Sequence, residues 1–269
     1  MAITTFEQAL AGMLPPEDFI KVGATMEAAG VMHSLFYTSG RPGAASAPAP
    51  GLAGASLTSY TGQIPFTNAP ASKETRLARL QATASASGCL LVYDRLWHNS
   101  GLAVTTTTAQ TINSTAFPAR DRNGSADGAG VIVGIEVSTA TTNGSAVTNT
   151  TMSYTNQDGT ASRTATISSF PATAVAGTFV PFQLQAGDTG IRSIQSVTLG
   201  TSYGAGAIHL VALRILARLE LPTANTGNAL DVLTSGFVRL FDNTVPGLLW
   251  VPSGTGAVTV TGHMIMTQG

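Results

Sequence analysis

The residues best suited to chemistry lie in DRLWHNSG, where Asp94, His98 and Ser100 fall close together. An acid that orients a histidine, and a histidine that activates a hydroxyl, is the logic of nucleophilic catalysis. The surroundings argue against it. No G-x-S-x-G elbow holds Ser100, and no carboxylate pair is placed for glycoside hydrolysis. The simpler reading is that Trp97 packs in the core while His98 and Asn99 organise the turn that follows. His33, His98, His209 and His263 are scattered, with no H-x-H, H-E-x-x-H or Cys/His metal spacing. DRNGSADG, residues 121–128, spaces Asp121, Asn123 and Asp127 around glycines as calcium ligands would be spaced. The late bidentate Glu of an EF-hand is missing, with Ile132 in its place, so a plain turn is favoured. GTSYGAG, residues 200–206, has no following helix and reads as a hairpin rather than a phosphate loop. Tyr60, Tyr154 and Tyr203, if exposed, are the aromatics a sugar-binding surface would use. The expectation is a chain with no catalytic, metal or cofactor-binding residues, and hence not an enzyme.

The elements that would carry these residues are mostly strands. Candidates are 89–97, 102–113, 130–140, 148–156, 161–169, 179–185, 192–201, 206–221, 235–242, 247–252 and 256–267. Asn-Gly and Asp-Gly steps at Asn143–Gly144 and Asp158–Gly159 suit tight turns because these residues tolerate positive φ. Regular strands with such punctuation point to an antiparallel β-sandwich of jelly-roll type over 89–269. The run Ala207–Leu221 alternates with period two and as one strand would span about 45–50 Å, so a bend or bulge is expected near its middle.

Residues 1–70 differ and read as an N-terminal arm. Pro16, the acidic pair Glu17 and Asp18, the apolar residues Phe19, Ile20, Val22, Met26 and Ala29, and the stop at Gly30 argue for a short helix. RPGAASAPAPGLAGASLTSYTGQIPFTNAPAS then has no periodicity and would be extended alone in water. Its singly spaced apolar residues Leu52, Leu57, Tyr60, Ile64 and Phe66 fit separate pockets on a partner, or else a loop lying on its own domain. Residues 71–88 read as a second helix: Ser72 caps it, Leu77 and Leu80 share a face, and Gly88 ends it.

Composition narrows the function classes. The chain of 269 residues is 43% hydrophobic but only 10% charged, with net charge −1, against a usual charged share of about 25%. Between Val131 and Gly190 the only charged residues are Glu136, Asp158, Arg163 and Asp188, and Thr, Ser and Asn take the outward positions. Such a surface holds few of the charges that keep monomers apart. Arg76/Arg79 and Arg120/Arg122 are the tightest cationic groups, too few for a nucleic-acid groove. Cys89 is the only cysteine, so no intrachain disulfide forms, and its place at a strand start suggests burial. No secretory signal or transmembrane run is evident, and no membrane partner is expected.

The run LLVYDRLWHNSGLAVTTTTAQTI, with ARDRNG, GVIVGIEVSTATTN, ISSFPATAVAGTFVPFQLQAGDTGIRSIQSVTLGTSY and IHLVALRILARLEL, resembles virion structural proteins of tailed bacteriophages over about residues 70–222. The resemblance implies a capsid decoration, cement or minor capsid protein. It would bind the major capsid protein, self-associate as a trimer and reside on the capsid surface after synthesis in the host cytoplasm. A tail, collar or head-fibre component is the alternative within that class. A carbohydrate-binding module used in host attachment is the alternative outside it.

Overall fold

The computed structural model describes residues 3–26 and 28–269. The chain is mostly β and antiparallel throughout, in three sheets. The first sheet runs Asn228–Leu230, Thr75–Ala84, Gly256–Gln268, Glu17–Met26, Gly40–Arg41, with Arg239–Leu240 also on Thr75–Ala84. The distal sheet runs Arg163–Phe170, Val147–Asn156, Ile191–Thr198, Gln110–Thr111. The central sheet closes on itself. Ala207–Leu221 pairs with Val131–Thr139, then come Thr178–Pro181, Met32–Ser34, Pro246–Pro252 and Gly88–His98, and Gly88–His98 pairs back onto Ala207–Leu221. Ala55–Ser56 adds to the His98 end.

Two strands tie the layers together. Ile208, Leu210 and Ala212 enter the core shared with the distal sheet. Val211 and Leu213 point into the closed sheet. Leu216, Ala217, Leu219 and Leu221 enter the core shared with the first sheet. Gly88–His98 divides likewise: Leu90 and Val92 face the first sheet, Leu91 and Tyr93 the closed interior, and Leu96 and Trp97 the distal side. Changing sides requires breaks in the alternation. The pairing of these strands shifts register at Ala212/Leu213 and at Ile215/Ala217. The extra residue is Leu96 of Gly88–His98 at the first shift and Leu216 of Ala207–Leu221 at the second, so the bulge expected in the long strand is present once, at Leu216.

The closed interior is narrow, and glycines admit its large side chains. A Cβ on Gly134 would sit 2.5 Å from the Phe179 ring, and one on Gly247 would collide with Tyr93. Cys89 lies in this interior, buried as its position suggested, and burial raises its thiol to about 11.

Both expected helices are strands. Glu17–Met26 pairs with Gly256–Met264 and puts Phe19 in the core, and a register shift between Lys21 and Ala24 accommodates Gly23 at φ 68°. Residues 71–88 hold the strand Thr75–Ala84. Leu77 and Leu80, three apart, share a face because a bulge opposite Ile265/Met266 adds one residue between them. A spacing that normally marks a helix arises here from a broken period of two. An isolated helix of this length would be marginal in water, so tertiary pairing decides. Gly88 opens the next strand, where the Trp250 ring packs too close for any Cβ.

The arm assignment for 1–70 changes with this, since residues 17–26, 32–34, 40–41 and 55–56 are strands of the main sheets. Buried Lys21 fastens the following loop: its Nζ donates to the carbonyls of Thr38 (3.1 Å), Pro42 (2.8 Å) and Gly43 (3.5 Å). Burial lowers that ammonium to about 8. Among the described residues the one α-helix is Phe6–Ala11. Of the strand candidates, 102–113 yields only Gln110–Thr111, and 235–242 only Arg239–Leu240. The first buries only its apolar ends, Leu102, Val104 and Ile112, and its central threonine run offers no apolar face; the second is interrupted by positive φ at Gly236 and Phe237. GTSYGAG is not a hairpin but a crossover from the distal to the central sheet.

Candidate functional site

Asp94, His98 and Ser100 do not form a catalytic group. The Asp94 carboxylate accepts from Arg120 at 2.9 and 3.1 Å and from the Val245 amide at 2.9 Å. Ser100 Oγ accepts from the Gly51 amide at 2.9 Å. Trp97 is buried as expected, and Asn99 ties the turn down, its Oδ1 accepting from the Leu210 amide at 2.7 Å. In DRNGSADG the Asp121 carboxylate accepts from the amides of Asn123, Ser125 and Ala129 and from the Ser125 hydroxyl, which makes an internally braced turn. Among the described residues no cluster of three or more His, Cys, Asp or Glu is placed to hold a metal ion. Tyr154 and Tyr203 are buried, with Tyr154 hydrogen-bonded to Asp188 and Tyr203 to Thr150, so two of the three candidate sugar-stacking aromatics are not on the surface.

Titratable groups do converge at one place, the end of the closed sheet nearest the distal core. Arg95 and Glu136, both fully buried, pair through two hydrogen bonds of 2.7 and 2.9 Å. Tyr37 donates to Glu136 at 2.8 Å, Arg95 also donates to the Tyr93 hydroxyl at 3.1 Å, and the guanidinium lies 3.9 Å from the centre of the Phe36 ring. His98 and His209 pack against each other beside the pair, ring centres 4.7 Å apart and planes tilted by 39°. Burial alone would raise the Glu136 carboxyl, but the Arg95 charge and its hydrogen bonds outweigh it and hold the group near about 2. Both oxygens of Glu136 are committed to Arg95 and Tyr37, so the network joins Val131–Thr139, Gly88–His98 and the turn Leu35–Tyr37.

Four of the five residues considered for partner contact turn inward. Leu57 and Ile64 are buried, Tyr60 stacks on Phe36 at 5.6 Å, and Phe66 packs against the core of the first sheet. Only Leu52 stays exposed. The loop thus lies on its own domain.

The exposed apolar surface is elsewhere. Among the described residues seven large apolar side chains are exposed: Phe6, Leu10, Met13, Ile20, Val22, Leu52 and Leu233. All but Leu52 belong to the first sheet or to the helix and loop lying on its outer side. Phe6, Met13, Leu233, Ala78 and Ile265 line an open groove of about 250 Å³, with Arg79 and Asp231 at its rim. These side chains are held outward by braced backbone. The helix has a reciprocal cap, in which the Gln8 amide donates to Thr5 Oγ1 at 3.2 Å and the Thr5 amide to Gln8 Oε1 at 3.3 Å. It is pinned to the last strand by the Thr267 hydroxyl, which donates to the Ala9 carbonyl at 2.6 Å. Asp231 Oδ1 accepts from the amides of Leu233 and Thr234, both at 3.0 Å, and fixes the turn that carries Leu233, 84% exposed. A sequence signal for part of this face exists: Phe6, Leu10 and Met13 recur at i, i+4 and i+7.

No protein-family model matches the chain, and no curated protein matches it. Solved structures of infectious bursal disease virus align loosely. The Gx strain structure gives a TM-score of 0.20 at 15% identity, covering 76% of this chain and 45% of that one. The Gt strain structure gives 0.21 at 12% identity, covering 96% and 81%. The VP2 subviral particle gives 0.19 at 14% identity, covering 96% and 66%. The chain thus spans less than half the length of the first of these, and superpositions this loose carry no argument about fold or role.

Proposed function

We propose that this chain is a non-enzymatic structural protein of a virus particle, of the capsid decoration or cement kind, and that the outer face of its first sheet packs against a second copy of itself. The observation that carries the reading is the gathering of six large exposed apolar side chains on one side of a molecule otherwise covered by Thr, Ser and Asn. Apolar patches rimmed by polar residues are typical of contact sites. A second copy is favoured as occupant by charge. Net charge −1 gives two copies little reason to repel. Arg79 and Asp231 line the same groove and Glu7 lies on the helix beside it, so the patch holds charges of both signs with which a two-fold contact can pair cation with acid. The resemblance of residues 70–222 to phage virion proteins supplies the setting, in which the major capsid protein is the further partner.

Sedimentation of the purified chain tests the contact, with a dimer or larger homo-oligomer expected at micromolar concentration. A trimer would require the patch to meet a different surface of its neighbour, whereas a monomer at every attainable concentration sinks the self-contact. A mass-spectrometric census of particles tests the setting. Hundreds of copies support decoration, a few to dozens indicate a tail or collar part, and none refutes a virion role.

A further inference from the structure

Three of the chain's four histidines, His33, His98 and His209, are buried, and all three gather around the Arg95–Glu136 pair. They arrive from three different strands, Met32–Ser34, Gly88–His98 and Ala207–Leu221.

Hydrogen-bond roles fix the state of the His98 ring and of one nitrogen of His209. A guanidinium only donates, so Arg95 Nη1, 3.0 Å from His98 Nδ1, makes that nitrogen an acceptor. His98 is therefore neutral with its proton on Nε2, an atom with no partner. A carbonyl only accepts, so His209 Nδ1 donates to the Asn99 carbonyl at 2.8 Å, while its Nε2, 2.7 Å from the Ser138 hydroxyl, accepts from it in the neutral ring and donates to it in the charged one. The two rings answer acid differently. His209 can take a proton on Nε2 if the Ser138 hydroxyl turns away, and the Ala207 carbonyl at 3.5 Å is there to receive it. His98 can take one on Nδ1 only by losing its bond to Arg95 and placing two cations against each other.

We propose that His98 and His209 form an acid-triggered latch, which holds the closed sheet shut while both rings are neutral and opens it when both are charged. The charged and titratable groups facing the pair are Arg95 from its own strand, Glu136 from Val131–Thr139, Tyr93, Tyr37 from the turn Leu35–Tyr37, and His33. One carboxylate would then face Arg95 and two imidazolium rings. The strain falls where His98 pairs with Val211 and where the Asn99 amide donates to the Leu210 carbonyl, the seam at which the distal core meets the closed sheet. Solvent has an approach from the other side: His33 and Tyr37 line an open cleft of about 370 Å³.

The direction of each shift agrees. Burial, then Arg95, holds His98 well below its ordinary 6.5. Burial lowers His209 against the Asn99 bond, and burial lowers His33 to about 4 against the pull of Glu136. A group held neutral by folding stabilises the fold fully above its unfolded pKa, and that contribution is lost as pH falls from there toward its folded pKa. The loss thus begins near 6.5 and runs to about 4 for His33. Glu136 acts later, since its stabilisation is lost only below the ordinary carboxylate value of 4.5, toward about 2. The proposal concerns the chain alone and stands apart from its place in a particle.

Urea unfolding of the full chain between about pH 7.5 and 4 tests it, comparing the native protein with the double variant His98→Gln, His209→Gln, in which an amide oxygen can still accept from Arg95. The expected result is that unfolding takes up about two fewer protons per chain in the variant across this window, with the acid midpoint moved to lower pH. An unchanged midpoint and proton count overturn the latch. Ring-proton NMR of the native chain decides the matter if the variant does not fold. His98 should remain neutral in the native spectrum until the protein opens, and a native titration of His98 near its ordinary value overturns the proposal.

Discussion

The outer faces of the first and distal sheets are built on the same pleat and end in opposite chemistry. On the distal sheet the outward positions of Val147–Asn156 and Arg163–Phe170 are Thr148, Thr151, Ser153, Thr155, Thr164, Thr166 and Ser168, while Met152, Tyr154, Ala165 and Ile167 point into the core. On the first sheet the inward residues are as apolar, Phe19, Leu80, Val260 and Met264, but the outward side carries Ile20 and Val22 together with Phe6, Leu10, Met13 and Leu233. Threonine suits an exposed strand because its branched Cβ fits the pleat and its hydroxyl meets water. Large apolar residues held outward by a capped helix and a braced turn contribute nothing comparable to the isolated fold. The difference marks one face as made for solvent and the other as made for contact.

That contrast assumes one molecule with two faces rather than two units joined by a strap. The largest expected effect tests the assumption. Glu136→Gln leaves the Arg95 charge buried and unpaired at the seam between the flanks, at a cost of about 3–5 kcal/mol. Because Gly88–His98 and Ala207–Leu221 serve both outer cores, thermal unfolding followed by near-UV and far-UV circular dichroism should show one lowered transition. Two separated transitions would mean that the flanks fold apart. A smaller loss is expected from Gly134→Ala, which forces a methyl against the Phe179 ring inside the closed sheet. Overpacking of this kind costs about 1–3 kcal/mol, readable as a shift in the urea midpoint, and it should leave association unchanged.

The two faces were unequally legible in the sequence. The distal sheet was plain: its Thr-rich alternation and its Asn-Gly and Asp-Gly turns place Val147–Asn156 and Arg163–Phe170 within a residue or two of the strands observed. Period two holds over 150–156 and 163–168 and slips only at one end, where Asn149 at φ 57° and Ser169 fall out of phase. The first sheet was misread because its two informative strands are bulged, so that Leu77 and Leu80 mimic a helical face and Gly23 disturbs the alternation after Lys21. Partners remote in sequence, Gly256–Gln268 for both strands, decide what local spacing leaves ambiguous. The same blindness moved the contact face. Leu57 and Ile64 look available in an aperiodic loop, yet they fill the molecule's own core, whereas Leu233 stands out only once the Asp231 turn is seen. The histidine cluster had no local signature, since its members lie between residues 33 and 209 and meet only through closure of the central sheet.

The remaining two predictions set the faces directly against each other. Leu233→Asp on the first sheet places a charge in the apolar groove without touching the cores. It should weaken self-association at least tenfold, about 1.4 kcal/mol, while the melting temperature of the dissociated chain stays where it was. Thr164→Lys, on the exposed side of the distal sheet, is the matched change. A surface strand position of this kind tolerates substitution within about 0.5 kcal/mol, and neither sedimentation nor melting should move appreciably. The pair is decisive because each variant adds one charge to a chain that carries few. If Thr164→Lys disrupted association as strongly as Leu233→Asp, scarcity of charge anywhere on the surface would be the operative property, and the apolar face would lose its special standing. If only Leu233→Asp does so, the contact is local, and the charge-poor remainder serves to let neighbouring copies approach it.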